Sequence, residues 1–260
     1  MSRLPILTFH SIDGSGSVIS TTAAEFSRLM SRLAEAGWRG CTVRDALEVR
    51  RSGSGADRLV ALSFDDGYRS VREAALPVLR DFGFSATVFA IAGRAGGDNR
   101  WPGQPSAIPV LPLLAWSDLE ELVRAGWEVG SHGFDHLPLT RVDTARAGRE
   151  LEGARRAIEL ALGLRVSSFA YPYGVFDGAV QALARAAYDC ACGARLALAS
   201  AGDVRDGFGL PRVDAYYLRG LPPSAVLATA AGESYLAVRR WARSLRRSRW
   251  GRGDFDGGAF

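Results

Sequence analysis

LVALSFDDGYRS, residues 59–70, is the stretch on which the fold turns. An apolar segment of strand length, Leu59–Phe64, stops at two adjacent carboxylates, Asp65 and Asp66, and Gly67 follows. In parallel α/β folds functional groups collect at the C-terminal ends of strands, which is where this pair falls. Adjacent residues on extended backbone point in different directions, so one Asp can bind a metal while the other faces a reacting water. The same residues also fit a plain turn at Asp66-Gly67, with Asp65 capping the next helix.

Outward from this unit, short strand-like runs alternate with helical patterns of 10 to 20 residues, the signature of βαβ units and a parallel sheet. Strands are expected at Leu4–Phe9, Gly40–Val43, Leu59–Phe64, Ala86–Ile91, Trp127–Gly130, Ser167–Ala170, Asp189–Ala191 and Pro211–Asp214. Residues 21–38 carry Phe26, Leu29, Met30 and Leu33 at helical spacing, with Thr22 as N-cap and Gly37 at the stop. Further helices are expected near 69–82, 117–125, 143–162, 177–187 and 222–230. Seven or eight such repeats suit a single α/β domain, a distorted (β/α) barrel, better than an open sheet. That barrel is assigned to residues 1–233, and 234–260 to a basic amphipathic helix with a disordered tail. Residues 93–112 hold four prolines and four glycines and read as a long surface excursion of the kind that shapes a substrate groove.

The 260 residues are 47% hydrophobic, which excludes fibrous, collagen-like and wholly disordered classes. Three cysteines, Cys41, Cys190 and Cys192, cannot support a disulfide framework, so the fold must stand on its core. The first residues lack the apolar stretch of a secretory signal, which makes the cytoplasm the expected address. The net charge of +4 is uneven: residues 1–234 hold 25 Arg against 26 acids, and residues 235–260 hold 7 Arg against 2. With the body neutral, the basicity does not indicate a nucleic-acid partner.

Two further segments carry chemistry. WEVGSHGFDHLPL, residues 127–139, places His132 and His136 after a strand with three residues between them, and neutral imidazoles at that spacing can share one ion with a carboxylate. SSFAYPYGVFD, residues 167–177, runs from a strand into Tyr171-Pro172-Tyr173-Gly174. There Pro172 fixes its own φ and Gly174 accepts a positive one, so the Tyr173 N–H can be held toward a pocket as an oxyanion donor. Two polar loop residues and an ordinary Pro-Tyr-Gly turn are the plainer readings.

In this order and at these strand ends, SFDDG, SHGFDH and AYPYG resemble the three motifs of the polysaccharide deacetylase family, carbohydrate esterase family 4 or NodB homology domain. The resemblance covers roughly residues 4–215 and implies a metal-dependent hydrolase that removes acetyl groups from N-acetylated sugars. It places a divalent ion, Zn²⁺ before Co²⁺ or Mn²⁺, on Asp66, His132 and His136. Asp65 becomes the general base on the hydrolytic water, Tyr173 and Pro172 line the substrate, and the Tyr173 N–H meets the oxyanion.

Two departures follow. Many members carry an Arg two residues before the motif proline, where this chain has Ala170, and Arg212 in LPRVD is the proposed replacement beside Asp65. Many members also supply a late acid His, yet no histidine follows His136 here. His10, at the end of the first strand, is the remaining candidate, and the chain is similar to the subgroup whose acid His is N-terminal.

Residues 234–250 set Leu236, Trp241 and Leu245 against six arginines, a pattern suited either to an anionic membrane, with a peripheral position at the inner face, or to packing on the barrel. Three functional classes remain: a carbohydrate N-deacetylase, an amidase or deformylase on a lipid-linked amino sugar or small amide, and a non-catalytic glycan- or membrane-binding protein.

Overall fold

The computed structural model describes residues 3–53 and 58–249, with side chains as far as Ser244. The expected disordered tail GRGDFDGGAF therefore lies outside the described residues, and Leu245, Arg246, Arg247 and Arg249 of the basic segment lie outside the described side chains. The chain begins with β1 (Ile6–Phe9), the short β2 (Ser11–Ile12) and β3 (Ser20–Thr21), and α1 (Ala23–Glu35). It continues through β4 (Arg39–Cys41), α2 (Val43–Ser52), β5 (Leu59–Phe64) and a wide helical turn leading into α3 (Leu76–Asp81). Next come β6 (Thr87–Ala90), α4 (Trp116–Arg124), β7 (Glu128–Ser131), α5 (Thr144–Leu162), β8 (Ser168–Ala170) and α6 (Gly178–Ala187). β9 (Cys190–Cys192), α7 (Ala201–Asp206), β10 (Phe208–Leu210), β11 (Val213–Asp214), α8 (Pro223–Leu227) and α9 (Ala230–Arg249) complete it.

Nine strands form one curled, all-parallel sheet in the order β10-β9-β8-β7-β6-β5-β1-β11, with β4 alongside the first half of β5. β1 pairs with β11 in the register Leu7↔Val213, so the first and last strands of the sheet are neighbours. β5 is buried throughout because both its faces are covered, which is why its sequence is apolar without alternation. Alternation is still present in space. Val60, Leu62 and Phe64 pack outward under the helices with Leu7 and Phe9, whereas Leu59 and Ala61 face inward with Ile6. Phe64 stacks between Phe9 and Trp127 at 5.2 and 5.5 Å, with Phe26 of α1 at 5.8 Å.

The inner cluster is small-residue-rich: Ala61, Ala170, Cys192 and Ala199 surround Phe89. A Cβ on Gly130 would fall 2.6 Å from both the Phe89 ring and Ser168 Oγ, so glycine is the one residue that fits this narrow interior. Val43, Ala46 and Leu47 of α2 and Val204 of α7 belong to the same cluster, so these helices seal the end of the barrel where the strands begin. The N-terminus of α2 is held from inside: Thr87 Oγ1 accepts from Val43 N, and Glu128 Oε2 accepts from Arg44 N and from Thr87 Oγ1.

The sheet has one strand more than the seven or eight expected. β10 escaped because three residues, Phe-Gly-Leu, with Gly209 at φ 117°, carry no strand pattern. Helices α2 and α7 were also unforeseen; α2 starts one residue after β4, inside the run read as strand to Val43. The proline-rich stretch 93–112 runs over the surface as expected, with Trp101 and Ile108 buried in it, and Asn99 ties it together through Pro109 O and Leu111 N. The cysteines are free, and burial pushes the Cys192 and Cys41 thiols up to about 12, which suits core residues. No helix among the described residues is long and apolar enough to cross a membrane.

Helix α9 docks through Leu236, through Tyr235 Oη donating to Tyr217 O, and through Arg240 donating to Leu196 O, while Arg239 lies over the Tyr217 ring. Its described arginines thus engage the barrel, and Val238 and Trp241, 62% and 64% exposed, face outward.

Phe64→Ala removes the ring at the centre of the outer aromatic stack and should cost about 3–5 kcal/mol in denaturant unfolding. A loss below about 1 kcal/mol would mean that the stack does not hold the helical layer on the sheet.

Candidate active site

The expected site residues meet at the C-terminal ends of the strands. Asp65 N–H bonds Phe9 O, which keeps Asp65 in the ladder and its side chain on the inner face with Ser63. The chain then turns left-handed at Asp66 (φ 67°) and Gly67 (φ 74°). Among the described residues, the three non-glycine positions with left-handed φ are Asp66, His136 (φ 59°) and Tyr173 (φ 59°), and all three are in this site. Such backbone costs on the order of 1 kcal/mol each and persists where surrounding structure enforces it.

His132 follows β7, and its Nδ1 lies 2.8 Å from Ala170 O. That nitrogen donates to the carbonyl, which fixes the ring so that Nε2 faces Asp66 Oδ1, 3.4 Å away. His136 Nε2 lies 3.4 Å from the same oxygen, and one ligand atom from each of the three residues falls within 4.8 Å of the others. Two imidazole nitrogens and a carboxylate oxygen converging in a buried space match the donor set of a divalent ion with positions left for water and substrate. His136 Nδ1 is buried without a protein partner, so its tautomer is set by whatever Nε2 binds. Burial pulls His136 down to about 3 against the attraction of Asp66, which keeps it neutral and available as a ligand. Burial alone would raise Asp66, but the imidazoles that face it, His132 first, hold it well below the usual carboxylate range.

Arg212 reaches Asp65 with both guanidinium arms, at 2.6 and 2.7 Å, and a third nitrogen donates to Gly193 O. The Arg side chain is 5% exposed. It supplies a cation to Asp65 where Ala170, buried against the inner cluster, has none to offer. Burial pushes Asp65 up, yet Arg212, with His132 and His10 adding, outweighs it and holds the carboxyl low. His10, just after β1, lines the same cavity.

Gly174 (φ 64°) has no room for a side chain, because a Cβ would sit 2.0 Å from Ala194 Cβ. Its N–H bonds Tyr171 O at 2.7 Å, which closes the turn and presents Tyr173 to the cavity. Tyr173 and Trp101 flank the His136 ring, each with centroids 4.6 Å away. Pro172 does not line the cavity; it is buried behind Tyr173 with its ring near Gly133, so it shapes the turn and leaves the contact to Tyr173.

Several participants went unread in the sequence. Trp101 and Ile108 wall the cavity from the proline-rich stretch, and Arg243 does so from α9. Glu150 of α5, 2% exposed, accepts from Phe134 N and Asp135 N and so holds the turn that carries His136. The available signal was its position on the buried stripe of α5 with Ala147, Leu151 and Ala154.

Comparison with known proteins agrees with this geometry. The polysaccharide deacetylase family model matches residues 52–191, just over half of the sequence, and the chain belongs to that family. Among curated relatives it is 26% identical over 177 residues to the putative polysaccharide deacetylase YxkH of Bacillus subtilis, covering 68% of this chain and 58% of that protein. It is 23% identical over 167 residues to a poly-β-1,6-N-acetyl-D-glucosamine N-deacetylase of Staphylococcus aureus, covering 61% and 55%. The chain thus spans less than two thirds of these relatives. The solved structure of IcaB from Ammonifex degensii superposes with a TM-score of 0.70 at 24% identity, covering 93% of this chain and 97% of that one. The Streptococcus pyogenes deacetylase PplD gives 0.71 at 20% identity, covering 85% and 93%. Both share the fold.

The lowered pKa of Asp65 means that its pairing contributes stability above the ordinary carboxylate pKa, near 4, and loses it as pH falls through the folded value. Arg212→Met leaves that carboxylate buried and unpaired, so burial then raises its pKa. Unfolding at pH 7 should show a deficit of about 3–5 kcal/mol, shrinking toward pH 4 as Asp65 protonates. A deficit that does not change with pH would assign the loss to packing alone.

Proposed function

We propose that this protein is a metal-dependent hydrolase that removes N-acetyl groups from amino sugars of a glycan or glycan precursor. The observation that carries this reading is the meeting, in one cavity, of the Asp66–His132–His136 set with the Asp65–Arg212 pair. The S. aureus relative, named for poly-β-1,6-N-acetyl-D-glucosamine, supports a β-linked N-acetylglucosamine polymer as the substrate class.

Asp66, His132 and His136 would hold a Zn²⁺ or similar ion, which supplies Lewis acidity to lower the pKa of water and polarise the amide carbonyl. Asp65, kept ionised and oriented by Arg212, takes the proton of the attacking water. The Tyr173 backbone N–H donates to the oxyanion of the tetrahedral intermediate. His10, which also lines the cavity, gives a proton to the amine as the C–N bond breaks, and acetate and the free amino sugar result. Trp101 and Tyr173 keep the His136 side of the chamber apolar and exclude bulk water.

A second reading keeps the chemistry and changes the carrier. Arg243 faces the cavity from the helix whose outer side exposes Val238 and Trp241, an arrangement compatible with a lipid-linked amino sugar met at an anionic inner membrane surface.

The test is acetate release from N-acetylglucosamine oligomers by protein stripped of metal and then given Zn²⁺, Co²⁺ or Mn²⁺. Asp65→Asn should bind metal yet lose at least about 10³-fold in kcat. His132→Ala should lose metal and activity together, and His10→Ala should lower turnover with metal retained. Metal-loaded protein that releases no acetate from oligomers but does so from a lipid-linked amino sugar would select the second reading, and release without metal would overturn the first.

A further inference from the structure

The turn Gly133–His136 is bound on two sides. Toward the sheet, Gly133 O and Phe134 O accept from Ala92 N and Gly93 N beyond β6, and His132 N donates to Ala90 O. The N–H groups of Phe134 and Asp135 turn instead to helix α5. One oxygen of Glu150, Oε2, accepts both, at 3.1 and 2.9 Å. Glu150 Oε1 meets Arg146 at 3.2 Å, and the same Arg146 nitrogen pairs with Asp135 Oδ2 at 2.8 Å. Asp135 is therefore anchored by its backbone to Glu150 and by its side chain to Arg146. The next residue, His136, takes a left-handed φ of 59°, a conformation that a non-glycine residue adopts when its neighbours leave no other course.

We propose that Glu150 is a positioning residue for the metal centre: its carboxylate, on α5, fixes the turn that aims His136 Nε2 at the point shared with Asp66 and His132. The proposal rests on the metal-site reading above. An acid on the buried stripe of a helix is costly unless it is fully satisfied, and both Glu150 oxygens have partners. Packing against α6 and β7 does not require an acid at this position; the two peptide N–H groups do. Removing the acceptor frees the turn to relax toward ordinary backbone, which withdraws one of three ligands and leaves Asp66 and His132 in place.

The experiment is Zn²⁺ affinity of the apoprotein, by competition with a chromophoric chelator, alongside its thermal unfolding. Glu150→Ala should weaken Zn²⁺ binding by at least tenfold, whereas Glu150→Gln, whose amide oxygen can accept the same two bonds, should stay within about threefold of wild type. Should Glu150→Ala fail to fold, Glu150→Asp keeps the charge and withdraws the oxygens by one methylene, and it should show the same weakening. Folded Glu150→Ala with lower thermal stability and wild-type Zn²⁺ affinity overturns the proposal and leaves Glu150 a structural acid. Wild-type protein that takes up no Zn²⁺ overturns the metal site and the proposal with it.

Discussion

The bidentate bond between Arg212 and Asp65 ties the end of the sheet to its middle. Arg212 lies just before β11, Asp65 just after β5, and β1 runs between them, so the pair spans three strands across the inner face. A guanidinium and a carboxylate taken out of water together are tolerable when further polar partners surround them. Here Arg212 Nε donates to Gly193 O, and Nη1 stands 3.4 Å from Ser63 Oγ. The β1–β11 pairing and this ion pair constrain one another: the register Leu7↔Val213 brings Arg212 into reach, and the ion pair holds that register. Asp65 is thereby held beside its counter-charge in a barrel whose inner cluster is apolar, with Ile6, Ala61, Phe89 and Cys192 among its members.

What the sequence made legible follows from which physical signals are local. Eight of the nine strands of the main sheet could be placed because apolar runs between glycine and proline punctuation are local features. The Asp-Asp and His-His pairs were legible because those residue types seldom sit at strand ends without polar partners. The cation beside Asp65 was sought because the family resemblance implies one there, and Arg212 stands against that carboxylate. β10, α2 and α7 were not, since a three-residue strand and helices that plug a barrel end are defined by tertiary contact.

The backbone of the site was the least readable part. Gly67 and Gly174 announce turns, but nothing in the letters at Asp66, His136 and Tyr173 announces left-handed backbone, which is imposed from outside by the sheet, by α5 and by Ala194. Glu150 passed as one more helix acid. The arginines of the C-terminal helix looked like a solvent or lipid face, and those described turn instead to Tyr217, to Leu196 and to the cavity. Sequence reported which groups were present; long-range packing decided which way they faced.

The plug formed by α2 and α7 bears on traffic. With α2 and α7 packed into the barrel where the strands begin, the chamber over His136 is approached from the end where the strands stop, so whatever occupies it rests against the loops that follow the strands and not against the barrel's interior.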